Sequence, residues 1–366
     1  MPSIGQKLAV VIPVTKRAST TSTYTCEGPF GCIGRGCQAD SHPVVAAPQH
    51  PPRERLSLGP CWPIGLVRAR SVPRGLPLKI PDQNRMISHL FSVDVEEHFQ
   101  VSAFESVAPR EHWGSHPSRV VANTDRILEL LAERGATGTF FVLGWVAERH
   151  PDLVRRIVAA GHEIGSHGWW HFRVPTLNQE GFRREIRDSK ALLEDIGGSP
   201  VLGYRAPSFS IVPGTEWAFD VLLEEGYRYD SSVFPIRRPG YGYPRAPRQP
   251  YRLSRPGGRL QEFPMATLAV GPLRIPAAGG GYLRQLPFQV IRAAFRQASH
   301  AGIPAMFYIH PWEVDPDQPR LPVSWLTRVR HYRRIAETIP LMHRLLSEFP
   351  FTSVSAWQAR AGGGVA

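Results

Sequence analysis

The stretch TGTFFVLGWVAERHPDLVRRIVAAGHEIGS, residues 137–166, changes its period twice. TGTFFVLG is a β-branched and aromatic run of the kind that fills a buried strand. AERHPDLVRRIVAAG then reads as a helix that stops at glycine, and HEIGS as a second short strand. A strand, a helix and a strand in this order point to a crossover unit with parallel strands.

The same beat runs outward in both directions. Upstream, MISHLFSVDVEEHFQV (86–101) opens with a strand, and SRVVANTDRILELLAERG (118–135) spaces Val120, Val121, Ile127, Leu128 and Leu131 as a helix does before it stops at Gly135. Downstream, PVLGYRAPS and YRYDSS read as strands around a helix TEWAFDVLLEEG. A helix PFQVIRAAFRQASHAG, a strand PAMFYIH, one helix RHYRRIAETIPLMHRLLSEF and a last strand FTSVSAW complete the chain. Residues 235–285 break the rhythm with Pro, Gly and Arg and read as a loop-rich insertion over one face. The expected class is α/β, with a parallel sheet either open or closed into a barrel.

Residues 1–85 show no such pattern. Rich in Pro, Arg and Gly, they are expected to be a disordered or mis-assigned extension, with translation starting at Met86 and the domain spanning 86–366. Of the formal charge of +12, +7 lies in this first stretch, so no specific nucleic-acid partner is expected for the remainder. All four cysteines, Cys26, Cys32, Cys37 and Cys61, lie there too, without CxxC spacing, which leaves the domain no thiol for a zinc module or a disulfide. The apolar run LAVVIPV (8–14) is interrupted by Pro13, is too short to span a bilayer, and is followed by no convincing cleavage site. The expected location is therefore the cytoplasm or the face of the inner membrane.

HEIGS runs directly into HGWWH, which sets His167 and His171 four apart. On a helical turn that spacing lets two imidazoles reach one ion. His112 and His116 share the spacing, so it selects nothing alone. Context favours the later pair, because it follows a strand, and ligands collect at the carboxyl ends of strands in such folds. In FSVDVEEHF, Asp94 and Glu96 lie two apart and so face the same side of a strand. Burying both is costly without a compensating cation or positive side chain; acids capping the strand in solvent are the alternative. Three further strand ends finish in Arg205, Asp230 and His310. Any one of these is more readily structural than catalytic. Five strand ends each closing on a carboxylate, a histidine or an arginine are hard to read as independent accidents.

The order SVDVEE, SHGWWH, RAPSFS, YDSS and YIHPWE resembles the five motifs of the polysaccharide deacetylases, the NodB homology domain of carbohydrate esterase family 4. SVDVEEHFQV, GGGYLR (279–284) and HPWEVDPDQPR are similar to the exosortase-associated exopolysaccharide branch, and the likeness covers about residues 88–357. The resemblance implies a distorted (β/α) barrel with one divalent ion, zinc by preference, at its mouth. It implies Glu96, His167 and His171 as ligands, with Glu97 the second choice for the acid. It makes Asp94 the base, Arg205 its holder, His310 the acid and Asp230 the group that favours charged His310. The commoner pattern has adjacent aspartates where Val95 follows Asp94 here, and an aromatic residue where Ser208 stands. Trp169, Trp170, Trp312 and Tyr282 are candidates to stack on sugar rings, or else core aromatics.

The implied activity is removal of N-acetyl groups from an acetylated polysaccharide or a lipid-linked glycan precursor, with peripheral membrane attachment compatible with it. The rivals are the same amide chemistry on peptidoglycan or a small cyclic amide, and a non-catalytic carbohydrate-binding assembly protein with a relic site.

Overall fold

The structure is a computed structural model that describes residues 87–238 and 240–361. The N-terminal extension, Met86 and the four cysteines lie outside the described residues. β1 (His89–Val95) is buried along its whole length, as a strand is when protein covers both faces of a parallel sheet. β2 (Thr139–Val142), β3 (Glu163–Ser166), β4 (Gly203–Tyr204) and β5 (Tyr229–Asp230) follow it in parallel, each beside the last. The intervening helices are α1 (Val120–Glu133), α2 (Gly144–Arg149), α3 (Pro151–Ala159), α4 (Gln179–Gly197) and α5 (Trp217–Glu224).

Residues 235–285 hold more regular structure than their composition suggests. β6 (Tyr251–Arg255) and β7 (Gly258–Glu262) form a hairpin whose second strand joins β5 in parallel, and β8 (Thr267–Val270) with β9 (Leu273–Pro276) form a separate one. After α6 (Gly280–Gln285) and α7 (Phe288–His300) comes β10 (Met306–Ile309), which pairs with β1. Met265, just past β7, forms an isolated parallel bridge with Met306, and Ala266 N–H donates to Met306 O at 3.1 Å. The expected distorted barrel is thus a ring with one seam closed by a single bridge. α8 (Trp325–Tyr332), α9 (Thr338–Glu348), β11 (Phe351–Thr352) and α10 (Val354–Arg360) complete the described chain.

The sequence reading differs from the structure in four places. The helix expected over 147–161 is broken at His150, because the following Pro151 disfavours a helical conformation there and instead starts α3. α4, the longest helix among the described residues, has no counterpart in the sequence reading; Asn178 caps it by accepting Gly181 N–H at 2.8 Å, and Gly198 ends it with φ +66°. RHYRRIAETIPLMHRLLSEF is two helices, since Arg334 takes a left-handed conformation and Pro340 suits only the first turn of a new helix. FTSVSAW is a strand only to Thr352, because the Ser353 hydroxyl accepts Ala356 N–H at 3.2 Å and starts α10. That cap closes the end of the ring remote from the site, where Ser355 N–H and Tyr229 O–H both donate to Glu163, at 2.9 and 2.8 Å.

Two core histidines give the fold an acid limit. His89 lies edge-on to Phe295 at 4.9 Å and accepts Ala305 N–H at Nδ1, while His162 accepts Gly138 N–H at Nδ1. Burial pulls both rings down to about 4, so each is neutral in the fold, whereas the unfolded chain protonates near pH 6.5. Between those values the unfolded state binds more protons. Stability is therefore complete above about pH 6.5 and falls as pH drops toward about 4, by on the order of 2–3 kcal/mol per ring. Urea unfolding at about pH 7 and pH 4.5 checks this, and His89→Gln is expected to lose less across the interval than wild type.

Candidate metal centre and active site

β1 carries its alternation past the strand end, so Asp94 and Glu96 emerge on one side, both 2% exposed. Across from them, beyond the end of β3, lie the two imidazoles. Glu96 Oε2 stands 2.8 Å from His171 Nε2 and 3.9 Å from His167 Nε2, and one ligand atom from each residue lies within 4.8 Å of the others. Among the described residues no other group of three such side chains comes together. His112 is exposed, and His116 stacks on Phe99 at 4.7 Å.

The histidines do not meet on a helical turn, as their spacing had suggested. Residues 167–173 form a loop in which Gly168 has φ +75° and His171 φ +55°. Glu185 of α4 braces it by accepting the N–H groups of Trp169 and Trp170 at 3.0 and 2.9 Å, and Arg110 donates to the carbonyls of Trp170 and His171 at 2.7 and 3.1 Å. His167 Nδ1 is 2.7 Å from the Arg205 carbonyl, which can only accept. The proton therefore sits on Nδ1, and the Nε2 lone pair faces Glu96.

The charges suit a cation. Burial pulls His167 down to about 4 against the opposing influence of Asp94, leaving a neutral donor imidazole. Burial would raise Glu96, but His171, His310 and His167 together hold its carboxyl well below the usual range. Its Oε1 accepts from Trp312 Nε1 at 3.1 Å, while the buried Oε2 engages nothing outside the trio. Two imidazole nitrogens and a carboxylate oxygen in this arrangement fit a divalent metal ion. Glu97, the other candidate acid, turns away. It accepts Arg119 N–H and the Ser118 hydroxyl at the start of α1.

Arg205, fully buried beyond β4, holds the second carboxylate. Its Nη1 donates to Asp94 Oδ1 at 2.6 Å and to Ser92 Oγ at 2.8 Å, its Nε to Ser231 O at 3.0 Å and its Nη2 to Ser231 Oγ at 2.9 Å. The Phe141 ring lies 4.2 Å beneath the guanidinium. Asp94 Oδ2 remains on the open side, 3.9 Å from His310 Nε2. His310 stacks on Trp312 at 4.8 Å. Burial lowers His310, but Glu96, Glu313 and Asp94 outweigh it and raise the ring to about 9.

Asp230 does not take the place expected for it beside His310. Alternation along β5 sends Ser231 toward Arg205 and Asp230 to the opposite face, where it accepts from Ser232 N–H and Oγ–H and meets Glu262. Burial, with Asp230 alongside, raises Glu262 well above the usual carboxylate range. The partner of His310 is Glu313, whose Oε2 lies 3.1 Å from Nδ1 and whose Oε1 accepts from Arg284 at 2.7 Å. The signal was present in HPWE, since three positions along a tight turn bring Glu313 back to His310. Arg284 comes from GGGYLR, and a Cβ on Gly280 would stand 2.4 Å from Glu313 Oε2, so only glycine allows this approach.

These groups open onto a cavity of about 530 Å³ whose wall includes Ser102, Ser208, Phe209, Tyr241, Thr327 and Arg330. Ser208 is left-handed, φ +56°, and its hydroxyl lies 2.7 Å from that of Ser102. The aromatic candidates serve the framework. Trp169 packs where Gly144 has no side chain, Trp312 is sandwiched between His310 and His331, and Tyr282 bonds Tyr241 at 2.8 Å.

Two family models match the chain. Residues 114–222 match "Polysaccharide deacetylase" and residues 231–359 "Domain of unknown function (DUF3473)". The first stretch holds His167, His171 and Arg205, and the second holds His310 and Glu313. A chitooligosaccharide deacetylase of Rhizobium leguminosarum bv. trifolii is 42% identical over 66 residues, 18% of this chain and 31% of that protein. A peptidoglycan-N-acetylglucosamine deacetylase of Bacillus cereus is 32% identical over 105 residues, 29% of this chain and 47% of that protein. The chain thus spans between about a third and about half of the length of these relatives. In fold it is similar to the crystal structure of a polysaccharide deacetylase from Mycobacterium smegmatis, with a TM-score of 0.52 at 21% identity over 78% of this chain and 93% of that one. A Puue allantoinase structure gives the same TM-score at 19% identity, over 78% and 93%. The order of the five motifs and the matched stretch lead to one assignment: residues 114–222 carry a polysaccharide deacetylase domain of the NodB homology group.

Proposed function

We propose that the chain is a zinc-dependent hydrolase that removes N-acetyl groups from amino sugars of an exopolysaccharide or its lipid-linked precursor, at work in the cytoplasm or on the inner membrane face. One observation carries the reading: the Glu96, His167 and His171 trio lies beside a second carboxylate, Asp94, that Arg205 keeps out of it. The names of the chitooligosaccharide and peptidoglycan deacetylases that the chain resembles support the same bond class.

An amide is a poor electrophile with a poor leaving group, so its hydrolysis needs an activated water, a stabilised oxyanion and a proton donor. When bound by the trio, the divalent ion supplies Lewis acidity toward the acetyl oxygen and toward water. Asp94 Oδ2, on the open side, accepts the proton of the attacking water. Arg205 engages Oδ1 alone and so aims the free oxygen. His310 donates from Nε2 to the departing sugar nitrogen, and Glu313 fixes its orientation through Nδ1. By the family resemblance, the backbone N–H of Ser208, on the cavity wall, is the donor assigned to the developing oxyanion.

The test is acetate release from chitin oligomers, peptidoglycan and purified exopolysaccharide at equal enzyme, alongside metal analysis. His167→Ala is expected to lose the ion and at least about a hundredfold in turnover. Unchanged metal content and turnover would remove the basis of the proposal. Glycan binding by a wild-type protein that takes up no ion would favour the relic reading.

A further inference from the structure

α8 turns two large apolar side chains outward. Trp325 is 75% exposed and its neighbour Leu326 50%. The segment that carries them is basic, since residues 320–336 include Arg320, Arg328, Arg330, Arg333 and Arg334 and no acid, with Glu337 the next residue. Arg320, Arg328, Arg330 and Arg333 are exposed, and Arg328 and Arg330 form no ion pair among the described residues. Among the described residues, Arg334 alone of the five is paired with a carboxylate, that of Glu337.

The opposite side of α8 is fixed to the catalytic end of the ring. His331 stacks on Trp312 at 4.1 Å, and Trp312 donates to Glu96. Thr327 and Arg330 belong to the cavity wall. Whatever covers Trp325 and Leu326 therefore lies beside the mouth of the active site. A water-facing tryptophan and leucine on a basic segment match a bilayer interface, where an indole sits at headgroup depth and arginines meet lipid phosphates. Among the described residues no helix is long and apolar enough to cross a membrane, so contact through this patch would be peripheral.

We infer that the surface built on Trp325, Leu326 and Arg328 of α8, with Arg333 just past its end, docks onto an anionic lipid surface and holds the cavity mouth against it. The surface argument is independent of the deacetylase reading. Together they place the acetamido sugar at the membrane, as a lipid-linked glycan would be.

The test is co-sedimentation of the full chain with phosphatidylcholine vesicles, with and without about 30% phosphatidylglycerol, at low and high salt. Wild type is expected to bind the anionic vesicles at least about tenfold more strongly than the neutral ones, and to release at high salt. Trp325→Ser with Leu326→Ser, and separately Arg328→Gln with Arg333→Gln, are each expected to weaken binding at least about tenfold while acetate release from a soluble chitin oligomer is unchanged. That retained activity shows the variants fold, and loss of activity in wild type would count against the deacetylase reading alone. Vesicle binding unaffected by both variants would assign it to the basic residues 1–85 and overturn the inference. So would no binding by wild type, or a dimer that the Trp325 and Leu326 variant dissociates without any lipid effect.

Discussion

Asp94→Asn is expected to keep its divalent ion and lose acetate release by about 10²–10⁴-fold, the range over which a positioned base contributes. The geometry separates the two functions. Glu96 lies 2.8 Å from His171, whereas Asp94 is drawn aside by the 2.6 Å bond from Arg205 and is absent from the ligand group. An asparagine is nearly the same shape and can still accept from Arg205 through its amide oxygen, so the fold and the trio are undisturbed. What is lost is the carboxylate Oδ2 on the open side, the atom assigned to accept the proton of the attacking water. Metal content by mass spectrometry and turnover by acetate assay decide the matter. Loss of the ion together with activity would make Asp94 a ligand, and normal turnover would end its assignment as base.

The second large effect is on stability. Arg205→Met removes the principal partner of a carboxylate that is 2% exposed and leaves the Ser231 carbonyl and both serine hydroxyls without their donor. Breaking one side of a buried pair costs about 3–5 kcal/mol, because the remaining charge stays desolvated. Adding Asp94→Asn to that variant removes the stranded charge and is expected to restore a substantial part of the loss without restoring turnover. Urea unfolding of the two single variants and the double variant measures the coupling. Equal losses in Arg205→Met and in the double variant would show that Arg205 serves packing over Phe141 rather than Asp94.

The legible parts of this protein were those in which a local pattern carries its own direction. Alternation along SVDVEE places Asp94 and Glu96 on one face, and it does so in the structure. The strand-to-helix beat similarly carries from residue 118 to 161. What the sequence hid was long-range. QEGFRREIRDSKALLEDIG has helical period and a capping asparagine but no chemistry to draw notice, yet its Glu185 shapes the histidine loop. Asp230 was misplaced because a strand of two residues gives too little alternation to say which neighbour faces inward. The pairing of β7 with β5 could not be read from a Pro- and Arg-rich stretch, since it depends on a register set by distant strands.

The loop that bears the two histidines has a further implication for how such sites tolerate change. Its reach comes from a glycine turn, one left-handed imidazole residue and a glutamate on an outer helix, so an interval of four serves here for a reason unrelated to helical pitch. A left-handed non-glycine residue costs on the order of 1 kcal/mol. That cost is offset by the hydrogen bonds from Trp169 and Trp170 to Glu185 and from Arg110 to the loop carbonyls. The reach of the histidines therefore depends on side chains that are not ligands, and Glu185 on α4 is one through which metal affinity can drift.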